Sequence, residues 1–488
     1  MIETGPAVTL TFVVYLVVVL AIGVIAWRRT ADLKDYILGG RRLGRFVTAL
    51  SAQASDMSGW LLLGLPGYAY LAGLESIWLV IGLLAGTWLN WRFTARRLRE
   101  ATESYADAIT LPEYLQRRFA DASGGLRLLS ALVILAFFTF YTASGLVAGG
   151  KLFEEVFGLS YTWAVAAGAA AVLGYTFLGG FLAVSWTDAV QGTLMFVALV
   201  VVAAMATASL GGFDGMTRAL AAQNPELLNA FTDVAGAPMT WVAVVSLLGW
   251  GLGYFGQPHI LARFMAAQSA DQLTDSRRIA MAWVIVALAA ATVVGLSGAA
   301  FLDAELEGPD SEKVFIVMAT VLLHPVIAGV CLAGILAAVM STADSQLLVA
   351  SSAVSEDLYR DWLRPAADRR ELLWVGRFAV VAIAIGAFLL AMDPGSRVLD
   401  LVAYAWAGFG ASFGPTIIAS LYWPRMSRAG AYAGIIAGAV TVVLWKQLSG
   451  GIFDLYEIVP GVLASSLAVA AFGRLGPAVA PPASRASV

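Results

Sequence analysis

The sequence predicts an all-α polytopic membrane protein built on an inverted repeat with two broken helices. Three observations predict it. Of the 488 residues, 60% are hydrophobic and only 13% charged, whereas a soluble domain carries about 25% charged residues. Apolar stretches of about twenty residues follow one another along the chain, each long enough to cross a bilayer as a helix. Two of these stretches, five spans apart, are interrupted by matching clusters of glycine, tryptophan and proline.

The apolar runs segment into about thirteen transmembrane helices: 8–27, 46–73, 75–95, 128–149, 162–180, 186–209, 239–263, 279–301, 313–355, 373–392, 398–422, 430–447 and 457–473. They are numbered spans 1 to 13 below. The 313–355 run is too long for one straight crossing, so it is expected to include a flanking helix outside the membrane. Arg28, the first basic residue, follows the first apolar run. A secretory signal has its positive charge before that run, so span 1 is expected to be uncleaved, with the N-terminus outside. In this orientation 25 of the 30 Lys and Arg residues are cytoplasmic, leaving Lys151, Arg218, Lys313, Arg397 and Lys446 outside. The opposite orientation would invert the positive-inside bias. The outer loop 303–312 is acidic, with Asp303, Glu305, Glu307, Asp310 and Glu312. Residues 477–488, rich in Pro, Ala and Ser, read as a disordered cytoplasmic tail.

Other function classes find little support. The net charge is -3, and no basic patch interleaved with aromatics points to nucleic acid. Cys331 is the single cysteine, which rules out a disulfide framework or a CxxC metal site. His259 and His324 lie far apart in sequence, against a histidine-rich metal centre. There is no nucleophile–base pair for a membrane enzyme, and the short stretch after Arg474 leaves no room for a fused signalling module.

The two interrupted spans carry the functional argument. Span 2 reads Ser58-Gly59-Trp60-Leu61-Leu62-Leu63-Gly64-Leu65-Pro66-Gly67; span 7 reads Gly249-Trp250-Gly251-Leu252-Gly253-Tyr254-Phe255-Gly256-Gln257-Pro258. Glycine and proline weaken a helix, and irregular backbone at membrane depth is tolerated only where it is buried in protein or lines a cavity. An offset of five spans is odd, so the second unit enters the membrane the other way round. Matched breaks in inverted halves mark a transporter's binding site, although glycine in membrane helices also serves close packing. Gly251-x-Gly253-x-x-Gly256 matches a dinucleotide fingerprint, but no strand precedes it, so the cofactor reading is rejected.

Polar residues inside the apolar runs narrow the site. Asp56 interrupts span 2, where a carboxylate costs roughly 3 kcal/mol or more and usually marks an ion or substrate path. It also reads as a half-helix cap or a partner of Arg41 or Arg42, and the readings are compatible. Met340-Ser341-Thr342-Ala343-Asp344-Ser345-Gln346 sits in span 9. Two hydroxyls plus carbonyls freed at a helix break make a hard oxygen site suited to sodium, whereas Ser and Thr alone usually bond back to the i−4 carbonyl. Asp188 alone reads as an N-terminal cap of span 6. Tyr141, Trp250 and Tyr254 are large amphipathic side chains, the last two inside the span 7 break. Asp188, Asp344 and Ser345 form an oxygen-lined exit station or second ion site if spans 6 and 9 meet near their cytoplasmic ends.

At these residues the chain resembles the sodium/solute symporter family along nearly its whole length. The resemblance rests on Leu38-Gly39-Gly40-Arg41, Ala54-Ser55-Asp56-Met57-Ser58-Gly59-Trp60, the span 7 motif through His259, and Gly334-Ile335-Leu336-Ala337-Ala338-Val339-Met340-Ser341-Thr342. The span 7 motif favours the proline branch. The resemblance implies a LeuT-like fold: an extra N-terminal helix and loop (1–45), five helices (46–238), five inverted helices (239–424), and two C-terminal helices with a tail (425–488). It implies a Na+ site from carbonyls of Ala54, Met57 and Ala338 with hydroxyls of Ser341 and Thr342, and Asp56 nearby governing sodium affinity. It implies a pocket for proline at Ser58, Gly59, Tyr141, Trp250, Tyr254 and Gln257, and a cytoplasmic gate at Arg41. Relatives with a second sodium site build it near the positions of Asp188 and Ser345, which leaves one or two sodium ions per cycle open. The implied setting is a bacterial inner membrane, with sodium, a small zwitterion and lipid as partners and no obligate protein partner. The alternative is a symporter of the same family for another amino acid, a monocarboxylate or a vitamin.

Overall fold

In a computed structural model the protein is described over residues 6–27, 37–176, 180–302 and 306–475. The 477–488 tail, Asp303 and Glu305 of the acidic loop, and Arg28, Arg29 and Lys34 lie outside the described residues. Every described regular element is helical. Among the described residues, nine helical stretches are long and apolar enough to cross a membrane, and three shorter apolar helices join them: Tyr161–Gly174, Trp241–Gly256 and Ile458–Phe472. Nine is fewer than thirteen because spans 2 and 3 run together as Trp60–Ser104, span 7 is cut by its break, and the described helices of spans 5 and 13 are short.

Within the described residues each expected span overlaps helix; residues 177–179 of the expected span 5 lie outside the described residues. Span 1 is Pro6–Trp27, span 4 Gly125–Phe157, span 6 Phe181–Ser209 and span 8 Leu273–Phe301. Spans 10 to 13 are Arg369–Leu390, Val398–Tyr422, Arg428–Trp445 and Ile458–Phe472. The long 313–355 run divides as its length requires. A short helix Val314–Leu322 ends at extended Leu323, and span 9 restarts at Pro325–Ser352. Pro325 starts it well, since a first-turn residue needs no N–H donor.

Span 9 is the centre of the bundle, buried along most of its length, whereas span 1 lies largely exposed at the edge. It packs on spans 6, 4, 1 and 10. Span 1 is pinned to this core through Tyr15, whose hydroxyl accepts from Gln191 at 2.9 Å.

Spans 2 and 7 are both discontinuous. Span 2 runs as Arg45–Asp56, breaks at Met57 and Ser58, makes a wide π-type turn over Trp60–Gly64, and resumes as Leu65–Ala72. It stops at Gly73 (φ +63), where a Cβ would strike the Leu227 backbone at 2.7 Å, so only glycine fits. Span 7 runs as Trp241–Gly249, tightens into a 3₁₀ segment over Trp250–Gly256, extends at Gln257 (φ -76, ψ 109), and resumes at Pro258–Ala266. The two breaks face each other, with the rings of Trp60 and Trp250 6.4 Å apart.

Candidate transport site at the two broken helices

The first break is made by backbone geometry. Met57 leaves the helix at φ -83, ψ 72, and the Ser58 N–H turns back onto the Asp56 carbonyl at 3.0 Å. That carbonyl also accepts from Tyr141 Oη at 3.2 Å and Trp60 Nε1 at 3.3 Å. A backbone oxygen released by the break is thus held by side chains of spans 4 and 2. The Asp56 carboxylate is 1% exposed, and neither of its oxygens has a hydrogen-bond partner.

One helical turn away, spans 2 and 9 touch through oxygen. Ser341 Oγ donates to the Ala54 carbonyl at 2.8 Å and lies 3.2 Å from the Ala338 carbonyl. Thr342 Oγ1 reaches the same Ala54 carbonyl at 3.3 Å. Two hydroxyls and two carbonyls from distant parts of the chain therefore meet, all buried. Met57 is fully buried at the turn beside them.

The second break supplies an aromatic wall. Tyr254 stands edge-on to Trp406 at 4.9 Å, and Trp406 Nε1 donates to the Trp250 carbonyl at 2.8 Å. Trp250 lies between Trp60 and Tyr456, 5.4 Å from the latter's ring. The Tyr254 hydroxyl sits beside the Asp56 carboxylate and the Thr87 hydroxyl, outside good hydrogen-bond geometry to either. The Gln257 nitrogen braces the break itself, donating to the carbonyls of Gly253 at 3.1 Å and Trp406 at 3.2 Å, which leaves Oε1 without a partner. Ser58 Oγ accepts from the Trp60 N–H at 3.4 Å. Gly59 is pressed on span 4, where a Cβ would come within 2.6 Å of Ala148 Cβ.

Asp188 does not cap span 6. The helix begins at Phe181, so Asp188 lies two turns inside it, fully buried. Its Oδ2 accepts from Ser51 Oγ at 2.6 Å and from Arg263 Nη2 at 3.0 Å. Arg263 also donates to Ser345 Oγ, and Asp344 is near enough to act on the same guanidinium through its charge. Spans 6 and 9 thus meet through an arginine of span 7. Arg41 is not a partner of Asp56. It pairs with Asp107 at 2.7 Å and donates to the carbonyls of Met265 at 2.5 Å and Ala108 at 3.0 Å. It ties the loop before span 2 to the end of span 7 and the loop after span 3.

Residues 36–438 match the model of the sodium:solute symporter family. The chain belongs to that family. It is therefore a multi-pass transporter of the bacterial inner membrane, not an enzyme. It is 54% identical over 473 residues to a sodium/proline symporter of Salmonella typhimurium, covering 96% of this chain and 93% of the relative. It is 48% identical to the high-affinity proline transporter PutP of Bacillus subtilis, covering 92% and 94%. Among solved structures, a sodium-coupled sialic acid symporter superposes with TM-score 0.78 at 18% identity, covering 98% of this chain and 100% of that one. MhsT, solved with L-phenylalanine, gives 0.51 at 12% identity, covering 88% and 98%. At such identities the likeness concerns fold alone, and the fold of this symporter is LeuT-like.

The sequence reading missed two groups at the site of this symporter. Thr87 and Asn90 of span 3 are fully buried with unpartnered side-chain atoms, and Thr87 adjoins Tyr254. A single hydroxyl in an apolar helix gives no signal, because most bond back to the helix. The sharper miss is Arg263, which reads in sequence as one more cytoplasmic loop charge, yet is 0% exposed.

Proposed function

We propose that this symporter imports L-proline together with Na+ by alternating access between the two broken helices. One observation carries the reading: Ala54 and Ala338 carbonyls converge with Ser341 and Thr342 hydroxyls where spans 2 and 9 touch, two residues before Asp56 in the chain. That is a hard, all-oxygen donor set, which suits sodium. The names of the relatives supply the solute. Ala54, Met57, Ala338, Ser341 and Thr342 bind sodium, and Asp56 raises its affinity. Ser58, Gly59, Tyr141, Trp250, Tyr254 and Gln257 enclose proline. The aromatic wall suits the pyrrolidine ring, and Gln257 Oε1 and released backbone carbonyls suit its ammonium. Arg41 closes the cytoplasmic side.

The N-terminus is outside and the C-terminus cytoplasmic, as the charge bias requires. Residues 46–238 and 239–424 form the two inverted halves, flanked by 1–45 and 425–488. Sodium entering the span 2/span 9 site completes the pocket, and the membrane potential drives the cycle. Each charge moved gains about 2.3 kcal/mol per 100 mV, and about 1.4 kcal/mol is tenfold. One sodium therefore supports about fifty-fold accumulation from potential alone.

Counterflow of labelled proline in proteoliposomes, with and without sodium, tests this. Sodium-dependent exchange is expected. Exchange that ignores sodium, or sodium-dependent exchange of other solutes with none of proline, would sink it.

A further inference from the structure

The break in span 7 is a 3₁₀ segment, Trp250–Gly256, and three residues per turn give it three edges. Gly251 and Tyr254 share one edge, on which Gly251 meets the Gly82 and Gly86 backbone of span 3. Gly253 and Gly256 share the edge toward span 11, against Trp406 and the Phe409 backbone. Leu252 and Phe255 share the third edge. They form the floor of a groove of about 440 Å³, walled by Gly414, Pro415 and Ile418 of span 11 and Val462 of span 13. That volume lies within the range of about 300–1,000 Å³ usual for ligand sites, and all six of these residues are apolar.

Phe93 and Tyr422, both exposed, form one rim of the groove. Span 3 makes a wide π-type turn there, over Trp91–Ala95, and the Phe93 carbonyl accepts from the Tyr422 hydroxyl at 2.9 Å. Two guanidinium groups stand on these rings. Arg92 lies 5.3 Å from the centre of Phe93, and Arg97 lies 4.1 Å from the centre of Tyr422. Both arginines are exposed. Their neighbours Arg96 and Arg99 pair with Glu100, Asp271 and Glu103, whereas Arg92 and Arg97 pair with no carboxylate among the described residues. The charge bias puts this rim at the cytoplasmic surface of the bilayer.

An apolar trough that leads from a mid-membrane break to two exposed cations matches an amphiphile with a hydrocarbon chain and a negative head. Water finds no partners in such a trough. A phosphate without a cation of its own meets the two guanidinium groups without repulsion, and arginine binds phosphate strongly. We propose that this groove binds an anionic phospholipid of the cytoplasmic leaflet, with an acyl chain against Leu252 and Phe255 and the phosphate on Arg92 and Arg97. The chain buttresses the edge of the broken segment left open between spans 3, 11 and 13. The inference rests on the orientation of the chain in the membrane, not on which solute is carried.

Native mass spectrometry of the purified protein, titrated with phosphatidylglycerol or phosphatidylcholine, tests this. The wild type is expected to bind one phosphatidylglycerol in preference to phosphatidylcholine; no preference overturns the proposal. A guanidinium beside an anionic lipid is worth about fivefold in affinity, so the double variant Arg92→Gln, Arg97→Gln is expected to bind phosphatidylglycerol about thirtyfold more weakly, with phosphatidylcholine unchanged. Arg377→Gln removes a guanidinium that also stands over a ring, 5.1 Å from Trp374, on span 10, which lines no part of the groove. It is expected to change neither lipid. Equal loss in Arg377→Gln and in the double variant would reduce the effect to surface charge and overturn the site. Ser466→Phe, at an exposed position on the groove wall, is expected to fill the groove and lower phosphatidylglycerol binding with both arginines in place. Unchanged binding in Ser466→Phe overturns the placement of the chain. Displacement of the lipid by an equal concentration of inorganic phosphate would leave an anion site only. A dimer that forms as the lipid is shed would assign the groove to a second copy; either result overturns the proposal. Phosphatidylglycerol is also expected to raise the thermal midpoint of the wild type more than that of the double variant, and equal shifts would overturn the buttress.

Discussion

Ala54 offers one carbonyl oxygen to two hydroxyls nearly three hundred residues away in sequence. If that meeting point is the sodium site, each hydroxyl is one ligand of several. A hydrogen-bonding group of this kind contributes about 1 to 1.5 kcal/mol, hence about tenfold in affinity. Ser341→Ala and Thr342→Ala are each expected to raise the sodium concentration for half-maximal proline uptake about tenfold, with normal amounts of protein in the membrane. Unchanged sodium curves in both would put the site elsewhere. Asp56 allows a test of opposite sign. Its buried carboxylate has only the Tyr254 hydroxyl beside it, outside good hydrogen-bond geometry, and such a charge costs roughly 3 kcal/mol. Asp56→Asn should therefore unfold at the same or a higher temperature than wild type without sodium, while losing the stabilisation that sodium brings. A variant that is less stable without sodium, yet still stabilised by it, would show that the carboxylate serves the fold. Asp56, Ser341 and Thr342 were legible because polar groups stand out in apolar runs. Arg263 was not, because depth is invisible in sequence: two residues beyond Leu261, it looks like the positive end of a span.

At the scale of elements, the breaks were legible because glycine and proline announce them, but their packing was not. Gly86 of span 3 lies against the backbone of Gly251, so closely that a Cβ on Gly86 would overlap the Gly251 carbonyl. The glycines of the span 7 break therefore serve both readings, weakening the helix and admitting a neighbour's backbone. Sequence pattern could not separate these, since both ask for glycine. Overpacking of this kind typically costs about 1 to 3 kcal/mol. Gly86→Ala is expected to lower the thermal midpoint of the purified protein and to impair transport. Gly174→Ala, whose Cβ would meet nothing within 4 Å, is expected to change neither. Equal behaviour of the two variants would remove the close approach as a constraint. Asp188 shows the other limit of pattern reading. A polar residue near the expected start of a span looks like a cap, but the helix starts seven residues earlier at Phe181 and turns the same side chain inward.

For the whole molecule, alternating access requires that one face be closed by contacts that can be broken. On the face that the charge bias assigns to the outside, Glu312 gathers three other pieces of chain. Its Oε2 accepts from Lys151 Nζ of span 4 at 2.5 Å and from the Val398 N–H at 3.0 Å. Its Oε1 accepts from the Leu399 N–H at 3.0 Å, so the carboxylate satisfies the first turn of span 11. Gly67 of span 2 rests on the Glu312 backbone, where a Cβ would sit 2.8 Å from its Cα. Both charged side chains are only 3% exposed. Removing one partner of such a pair leaves a buried charge, at a cost of about 3 to 5 kcal/mol, and opening the face to water relieves that cost. Glu312→Gln is therefore expected to favour the open outer mouth. A cysteine at Ser311, buried in the closed state, should react with an impermeant maleimide from outside at least about tenfold faster in Glu312→Gln, a shift of about 1.4 kcal/mol. Lys151→Met combined with Glu312→Leu removes both charges, so labelling should slow again toward the wild-type rate. Labelling at an unchanged rate in Glu312→Gln would mean that the outer face is held by apolar packing, with this ion pair a bystander.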